Sequence, residues 1–420
     1  MIEKVSLFNN KREFFHFLAL CSFILFYSLV INYNEYKKLT HFDSQIIQAT
    51  VLKQYTKTKN NKTFQVLKLK SDDGFSFYSS AKKSLENVKG KRVRLELWAG
   101  KISFYEYLSG FYVYSKIKYI YKNQTNKQKL NNYIDSAHRD KKVANIYQAL
   151  YTASPLHIDN QKSFSSLGVS HLLAISGFHL GVLSALLFFF LKPIYVFFQD
   201  KYFPYRNSKI DLFIIVIFIL LTYLIFLDKP PSLLRSFVML VVGFVLYDRG
   251  VKIISMQTLL VSVILLLSFF PKLIFSIGFF LSVSGVFYIF LFLNFFKHLS
   301  KFYQFILMPF WVYILMLVFS LVIFGDFSIY HPLSIIWTSL FSIFYPLSIA
   351  LHIVGFGDIF DGVLINFISL GANSLHIELS YKVLALHIGL SLLSLFYKKV
   401  IWLLLAFNLF IFIYAIYKVA

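Results

Sequence analysis

The amino-acid sequence predicts a polytopic α-helical membrane protein of about 10 to 11 spans with a small N-terminal extracytoplasmic β-barrel (OB-like) domain. Three observations carry that expectation. The 420 residues are 57% hydrophobic with a mean hydropathy of +0.64, far too apolar for a soluble globular chain. Most apolar residues gather into runs long enough to cross a hydrocarbon layer. Between the first run and the rest lies a basic stretch whose apolar residues alternate, the period of a strand. The chain divides accordingly into an anchor at 1–31, a barrel domain at 32–122, a helical connector at 123–165 and a multi-span region at 166–420.

Phe14 to Ile31 is apolar and is preceded by Lys4, Lys11 and Arg12. No small-residue cleavage site follows it, so it reads as an uncleaved anchor with a cytoplasmic N-terminus. Further runs fall near 172–191, 210–227, 232–247, 254–270, 274–296, 304–324, 332–354, 383–397 and 400–417, with 359–378 ambiguous. Alternate loops carry Lys192, Lys201, Arg206 and Lys209, then Arg249 and Lys252, then Lys297 and Lys301. Under the positive-inside rule these loops are cytoplasmic and residues 32–165 lie outside. Cys21 is the single cysteine, which excludes an intramolecular disulfide and multi-cysteine metal sites.

Of the formal charge of +22, residues 32–165 carry +14, from 24 Lys or Arg against 10 Asp or Glu. A polyanion or an anionic surface would be met there. Five alternating segments, 44–55, 62–70, 74–80, 91–98 and 101–108, are separated by turn signals such as Asp72-Asp73-Gly74 and Lys89-Gly90. Five strands suit a small barrel, and Lys62, Lys68, Phe75, Phe77, Arg92, Arg94 and Trp98 interleave cations with aromatics, as in single-strand nucleic-acid grooves. Surface lysines and core aromatics are also ordinary in any small barrel. Residues 123–151 read as an amphipathic helix, either lying on anionic headgroups or connecting with a solvated face.

Three polar segments interrupt the apolar runs. Ser170 to Gly181 (SHLLAISGFHLG) holds His171, Ser176, Gly177, His179 and Gly181 where a span begins. Buried histidines in a membrane face a bundle interior or a hydrated path, and glycines four apart allow close helix packing. Pro231, Ser232 and Arg235 open another span, where the arginine either snorkels outward or faces a path as a fixed cation. Gly278 and Ser282 lie in GFFLSVSG, a pattern of close packing or of a broken helix.

These segments resemble the motifs of the ComEC family of competence proteins. His171 to His179 is similar to the family's HLLAISG-x-H, Pro231 to Met239 to its P-S-x-x-R-A-x-x-M, and Gly278 to Ser282 to its G-F-Q-L-S. Phe324 to Leu333 resembles its F-G-x-F-S stretch, and Phe104 to Leu108 its aromatic segment after the barrel. Ser236 and Phe280 replace the usual Ala and Gln. The H-x-H-x-D-H ligands of the metallo-β-lactamase-like domain found in many members do not occur in the sequence. The resemblance implies an inner-membrane channel passing single-stranded DNA to the cytoplasm during natural transformation. It also implies an extracytoplasmic DNA receptor and a cytoplasmic helicase-like motor or strand-binding proteins as partners, and the chain is open to self-association as a homo-oligomer.

No phosphate-binding loop motif is present, so the expectation is a non-enzymatic chain without cofactor or metal. The eight-residue spacing of His171 and His179 is not the adjacent-turn pair of helical zinc sites. Asp358 and Asp361 suit loop or helix-start positions better than a Mg²⁺ site. A rival reading, a small-solute or proton-coupled transporter, would call for an internal repeat and buried carboxylates, and neither is evident.

Overall fold

The computed structural model describes residues 8, 10–59, 62–86, 88–121, 126–173, 175, 177–248, 255–371 and 373–419. Lys4, Ser176, Arg249 and Lys252, together with the side chains of Lys62 and Pro231, lie outside the described residues. The chain forms two units, residues 8–133 with 264–276 and residues 134–263 with 277–420.

The first unit begins with helix α1 (Lys11–Thr40), in which only Cys21 and Leu39 are buried. Strands β1 (Gln45–Lys59), β2 (Lys62–Ser71), β3 (Ser76–Ala81) and β4 (Arg92–Trp98) follow, then α2 (Phe104–Ser109), β5 (Phe111–Tyr112), β6 (Tyr114–Ile120) and α3 (Asn126–Ala137) as far as Tyr133. Strand alternation works as expected: Val51, Leu67, Leu69, Phe77, Val93, Leu95, Leu97 and Phe111 share one core, and their neighbours are more exposed, Val66 excepted. The segment 101–108, expected as a strand, is largely helical. Ser103 Oγ accepts from the Glu106 N–H at 3.3 Å and Glu106 Oε2 accepts from the Ser103 N–H at 2.7 Å, a capping box that starts α2.

The sheet order is β5-β3-β2-β1-β4-β6, and the strands do not close into a barrel. The expectation of a barrel is corrected for a local reason. β5 pairs with β3 over two residues only, and the chain then leaves through Val113 to pair with β4 as β6, so no uninterrupted strand joins the two edges. Next to the core, the Tyr107 hydroxyl donates to Glu35 Oε2 at 3.0 Å and the Lys272 ammonium lies 4.3 Å over the Tyr107 ring. Burial, aided by the Glu35 carboxylate, pushes the Tyr107 hydroxyl pKa up; burial lowers that of Lys272, against the pull of Glu35.

The second unit contains α4 (Lys141–Thr152), α5 (Ile158–Ser166), α6 (Ser170–Leu173), α7 (Gly177–Tyr202), α8 (Ser208–Phe226), α9 (Pro231–Asp248) and α10 (Met256–Phe269) as far as Val263. After these come α11 (Ile277–Phe295), α12 (Lys301–Ile323), β7 (Asp326–Phe327), α13 (Ser334–Val354), α14 (Asp361–Leu370), β8 (Leu375–His376), α15 (Tyr381–Leu393) and α16 (Val400–Val419). Seven helices in the described residues are long and apolar enough to cross a membrane: α1, α7, α8, α11, α12, α13 with the turn before it, and α16. The expected spans near 232–247, 254–270 and 383–397 are shorter apolar helices. The ambiguous 359–378 resolves into the ten-residue α14 and the short β8, which pairs with β7. A ten-residue helix is about 15 Å long, half a hydrocarbon core.

A buried polar chain ties four of these helices. Asn408 Nδ2 donates to His387 Nδ1 at 3.1 Å, which leaves Nε2–H to donate to the Tyr288 hydroxyl at 2.7 Å. Tyr288 donates in turn to Ser391 Oγ at 2.9 Å, and Trp311 Nε1 donates to the Tyr288 carbonyl at 3.1 Å. Such bonds contribute roughly 0.6 kcal/mol each between apolar helices, but they fix which faces meet.

Candidate functional site: a polar stretch within the helical unit

Residues 163–179 are where sequence-distant polar segments meet. Ile175 is the break between α6 and α7, and its carbonyl accepts from Ser232 Oγ at 2.7 Å. A Cβ on Gly177 would lie 3.0 Å from Ser236 Oγ, so this glycine brings α7 against α9. Gly181 has no such neighbour within 4 Å, and the close-packing role expected of the glycine pair belongs to Gly177 alone.

Arg235, 3% exposed, does not snorkel. Its Nη1 donates to the Gly278 carbonyl at 3.0 Å, and it has no carboxylate partner among the described residues. The second and third motifs are thereby joined, and Ser232 joins the second to the first. Ser282 is half-buried in α11 and Phe280 is exposed.

The fourth segment reaches the same stretch. Ser328 Oγ donates to the Ser166 carbonyl at 2.9 Å, and the His331 ring lies flat against Gly168. Gly168 has φ +72°, and a Cβ there would sit 2.8 Å from His331 Cε1, so conformation and space both demand glycine. His331 Nδ1 pairs with the Tyr313 hydroxyl at 2.9 Å.

His171 is exposed, with Nε2 3.4 Å from Thr338 Oγ1, and it lies within electrostatic reach of both His331 and His179. His179 is buried, its ring 4.5 Å from Tyr345 and 5.4 Å from Phe341. Around this turn Ser165 Oγ, Ser170 Oγ and His331 Nε2 are buried without a protein partner among the described residues. Unpaired buried polar atoms are costly, and they persist where water or a polar ligand reaches them. Among the described residues no cluster of three metal-ligating side chains occurs.

From His138 on, the connector packs on the C-terminal half of α13 rather than apart from the helices: His138 meets His352, Tyr151 meets Ser348 and Tyr147 meets Phe344. α4 buries eight of its residues, including Asn145, Tyr147 and Thr152. Polar chain at the depth of apolar helices is tolerated where protein or a hydrated cavity surrounds it. Sequence reading missed Ser166 and Gly168, just before the first motif, and their partners Ser328 and His331, since these contacts span more than 160 positions. The only signal was the FGDFSIYHPL stretch itself.

The candidate nucleic-acid residues separate by face. Phe75 (7% exposed) and Phe77 (0%) stack on Phe111 inside the core, so no base can reach them. Arg92 pairs with Asp72 and lies over the Tyr121 ring; Trp98 packs on Tyr114 at 5.1 Å; Arg94 is exposed. Lys118 pairs with Glu96 on that same face at 2.8 Å. Strand register aligns a second row: Lys53 opposite Lys68, Lys68 opposite Tyr78, and Tyr78 opposite Tyr112. The Lys68 ammonium is 5.4 Å over Tyr78, and neither lysine has a carboxylate partner among the described residues. Burial and the like charge of Lys68 pull the Lys53 pKa down.

Neither the curated proteins nor the solved structures contain a match to this chain. The family model described as "Competence protein" matches residues 153–420, the region that contains all four meeting segments. Covering more than half of the chain, that match establishes that the protein belongs to the competence protein family, the ComEC-type proteins of DNA uptake.

Proposed function

We propose that this protein is a multi-pass inner-membrane channel that conducts single-stranded DNA into the cytoplasm during natural transformation. The observation that carries the reading is the polar stretch 163–179, with unpaired Ser165, Ser170 and His331 atoms inside a unit of apolar helices. Each phosphate of a strand is a charge, and moving one through hydrocarbon costs at least about 2.5 kcal/mol. A hydrated path with dispersed donors removes that cost without holding the strand too tightly to move. On this reading the sheet unit lies outside and gathers DNA with salt-sensitive affinity. Its unpaired row of Lys53, Lys68, Tyr78 and Tyr112 combines charge with stacking surface.

The reading assigns no catalytic step to this chain. An extracytoplasmic DNA receptor would deliver the strand, and a cytoplasmic helicase-like motor or strand-binding proteins would draw it in. The test is to delete the gene and follow fluorescent DNA during transformation. Arrest outside the inner membrane is expected; cytoplasmic label at the wild-type level would overturn the reading. Lys53→Ala with Lys68→Ala should weaken binding of a single-stranded oligonucleotide by the full chain and flatten its salt dependence by about 0.7 per lysine.

A further inference from the structure

A second polar cluster, away from the motif segments, has a hydrogen-bond pattern that specifies its protonation. His138, between α3 and α4, is buried with its side chain inaccessible. Its Nδ1 lies 2.8 Å from Asp361 Oδ1 at the start of α14, and its Nε2 lies 3.0 Å from His352 Nε2 near the end of α13. His352 Nδ1 lies 2.7 Å from the Ser348 carbonyl, which can only accept, so Nδ1 carries the hydrogen. His352 Nε2 is then the acceptor, and His138 Nε2–H must be the donor. An ionised Asp361 likewise accepts, so His138 Nδ1 donates as well.

We propose that Asp361, His138 and His352 form a proton-binding site that clamps α4 to α13 and α14. The cluster is electroneutral only when it holds one proton beyond neutral histidines and an ionised carboxylate. Removing that proton leaves a buried negative charge. Adding a second, on His352, leaves a buried positive charge and sets two N–H groups against each other at 3.0 Å. Either change costs several kcal/mol in a low-dielectric site unless the elements separate.

The surroundings reinforce the site without supplying another charge. From α4, Tyr147 stacks on His138 at 4.5 Å and 8° between planes, and its buried hydroxyl has no partner among the described residues. Tyr151 donates to Ser348 Oγ at 2.8 Å, and Ser348 donates to the Tyr345 carbonyl at 2.8 Å. The neighbouring charged residues Arg139, Asp140 and Asp358 do not compete: Arg139 and Asp358 are exposed, and Asp140 caps α4 through the Lys142 N–H at 2.6 Å. Asp135 is taken by Gln148 Nε2 at 2.7 Å. Gly357 makes the room, since a Cβ there would lie 2.8 Å from His352 Cδ2 and 2.9 Å from Nε2.

The proposal stands apart from the channel reading and is tested without DNA. In the full chain, purified in detergent with ¹⁵N-histidine, His138 should show two protonated nitrogens at neutral pH and His352 a protonated Nδ1 with a bare Nε2. A neutral His138 at that pH would overturn the site. Hydrogen exchange of α4 amides, corrected for intrinsic rates, should accelerate at least tenfold on acidification. His352→Gln, whose amide oxygen can accept from His138 without titrating, should keep neutral-pH protection and lose the acid acceleration. An unchanged acid response in that variant, or none in the wild type, would sink the clamp. Should His352→Gln fold poorly, the nitrogen assignment on the wild-type chain still decides.

Discussion

The two units solve opposite problems. In the sheet unit the interior is apolar and the polar groups face out, so Phe77, Leu95 and Leu97 are buried while Arg94 and Tyr112 are exposed. In the helical unit large apolar side chains such as Phe189, Phe218 and Phe396 are more than 60% exposed, and Arg235, His179, His331 and His387 are buried. One fold keeps charged side chains out of its centre; the other buries an arginine and several histidines among its apolar clusters. Stability in the first rests on packing volume, whereas the second adds directional contacts between helices to apolar clusters around Leu220, Leu315 and Val318.

That contrast sets the order of expected effects. Phe77→Ala should be the most damaging, at about 3–5 kcal/mol, because it empties the centre of the sheet core. Denaturant unfolding of the full chain should show the sheet transition lost first; an unchanged transition would mean the core does not depend on its aromatic stack. In the helical unit, Arg235→Ala removes a charged donor from the Gly278 carbonyl and should cost roughly 1.5–3 kcal/mol. Transformation frequency measured at matched protein level would report it, and an undiminished frequency would assign the arginine no role.

Gly168→Ala comes next. The left-handed backbone alone costs about 1–2 kcal/mol, and the His331 ring adds a steric term. His331→Ala in the same chain should recover the steric part only, which a double-mutant cycle in thermal unfolding resolves. Ser232→Ala should cost about 1 kcal/mol through the Ile175 carbonyl. Smallest of all is Gly181→Ala, expected within about 0.5 kcal/mol because nothing lies within 4 Å of the added methyl. If Gly181→Ala proved worse than Gly177→Ala, the assignment of the α7 to α9 contact to Gly177 would fail.

The family motifs were visible as polar residues in apolar runs, yet their relation to one another was not. Pro231 to Ser236 reads as a helix start with an arginine; nothing in those residues says that Ser232 bonds Ile175 or that Arg235 reaches Gly278. The sheet shows the same limit on a smaller scale. Alternation read Phe75 and Phe77 as strand residues, of which Phe77 lies in β3 and Phe75 just before it, but a period of two does not tell which face is the core. The reading of 101–108 as a strand failed because a local capping box outweighs a short apolar alternation.

By itself the sequence determined the long apolar helices, the basic N-terminal region with its strands, and the four segments that carry the family likeness. These depend on composition, period and local motif, which act over a few residues. The tertiary structure alone decided that the second and fourth segments meet on 163–179, that the third joins the second through Arg235, that α4 packs on the C-terminal half of α13, and that His138 finds Asp361 and His352 more than 200 positions away. Buried hydrogen bonds pair whichever donors and acceptors the packed helices bring together, and no local pattern encodes a partner at that separation.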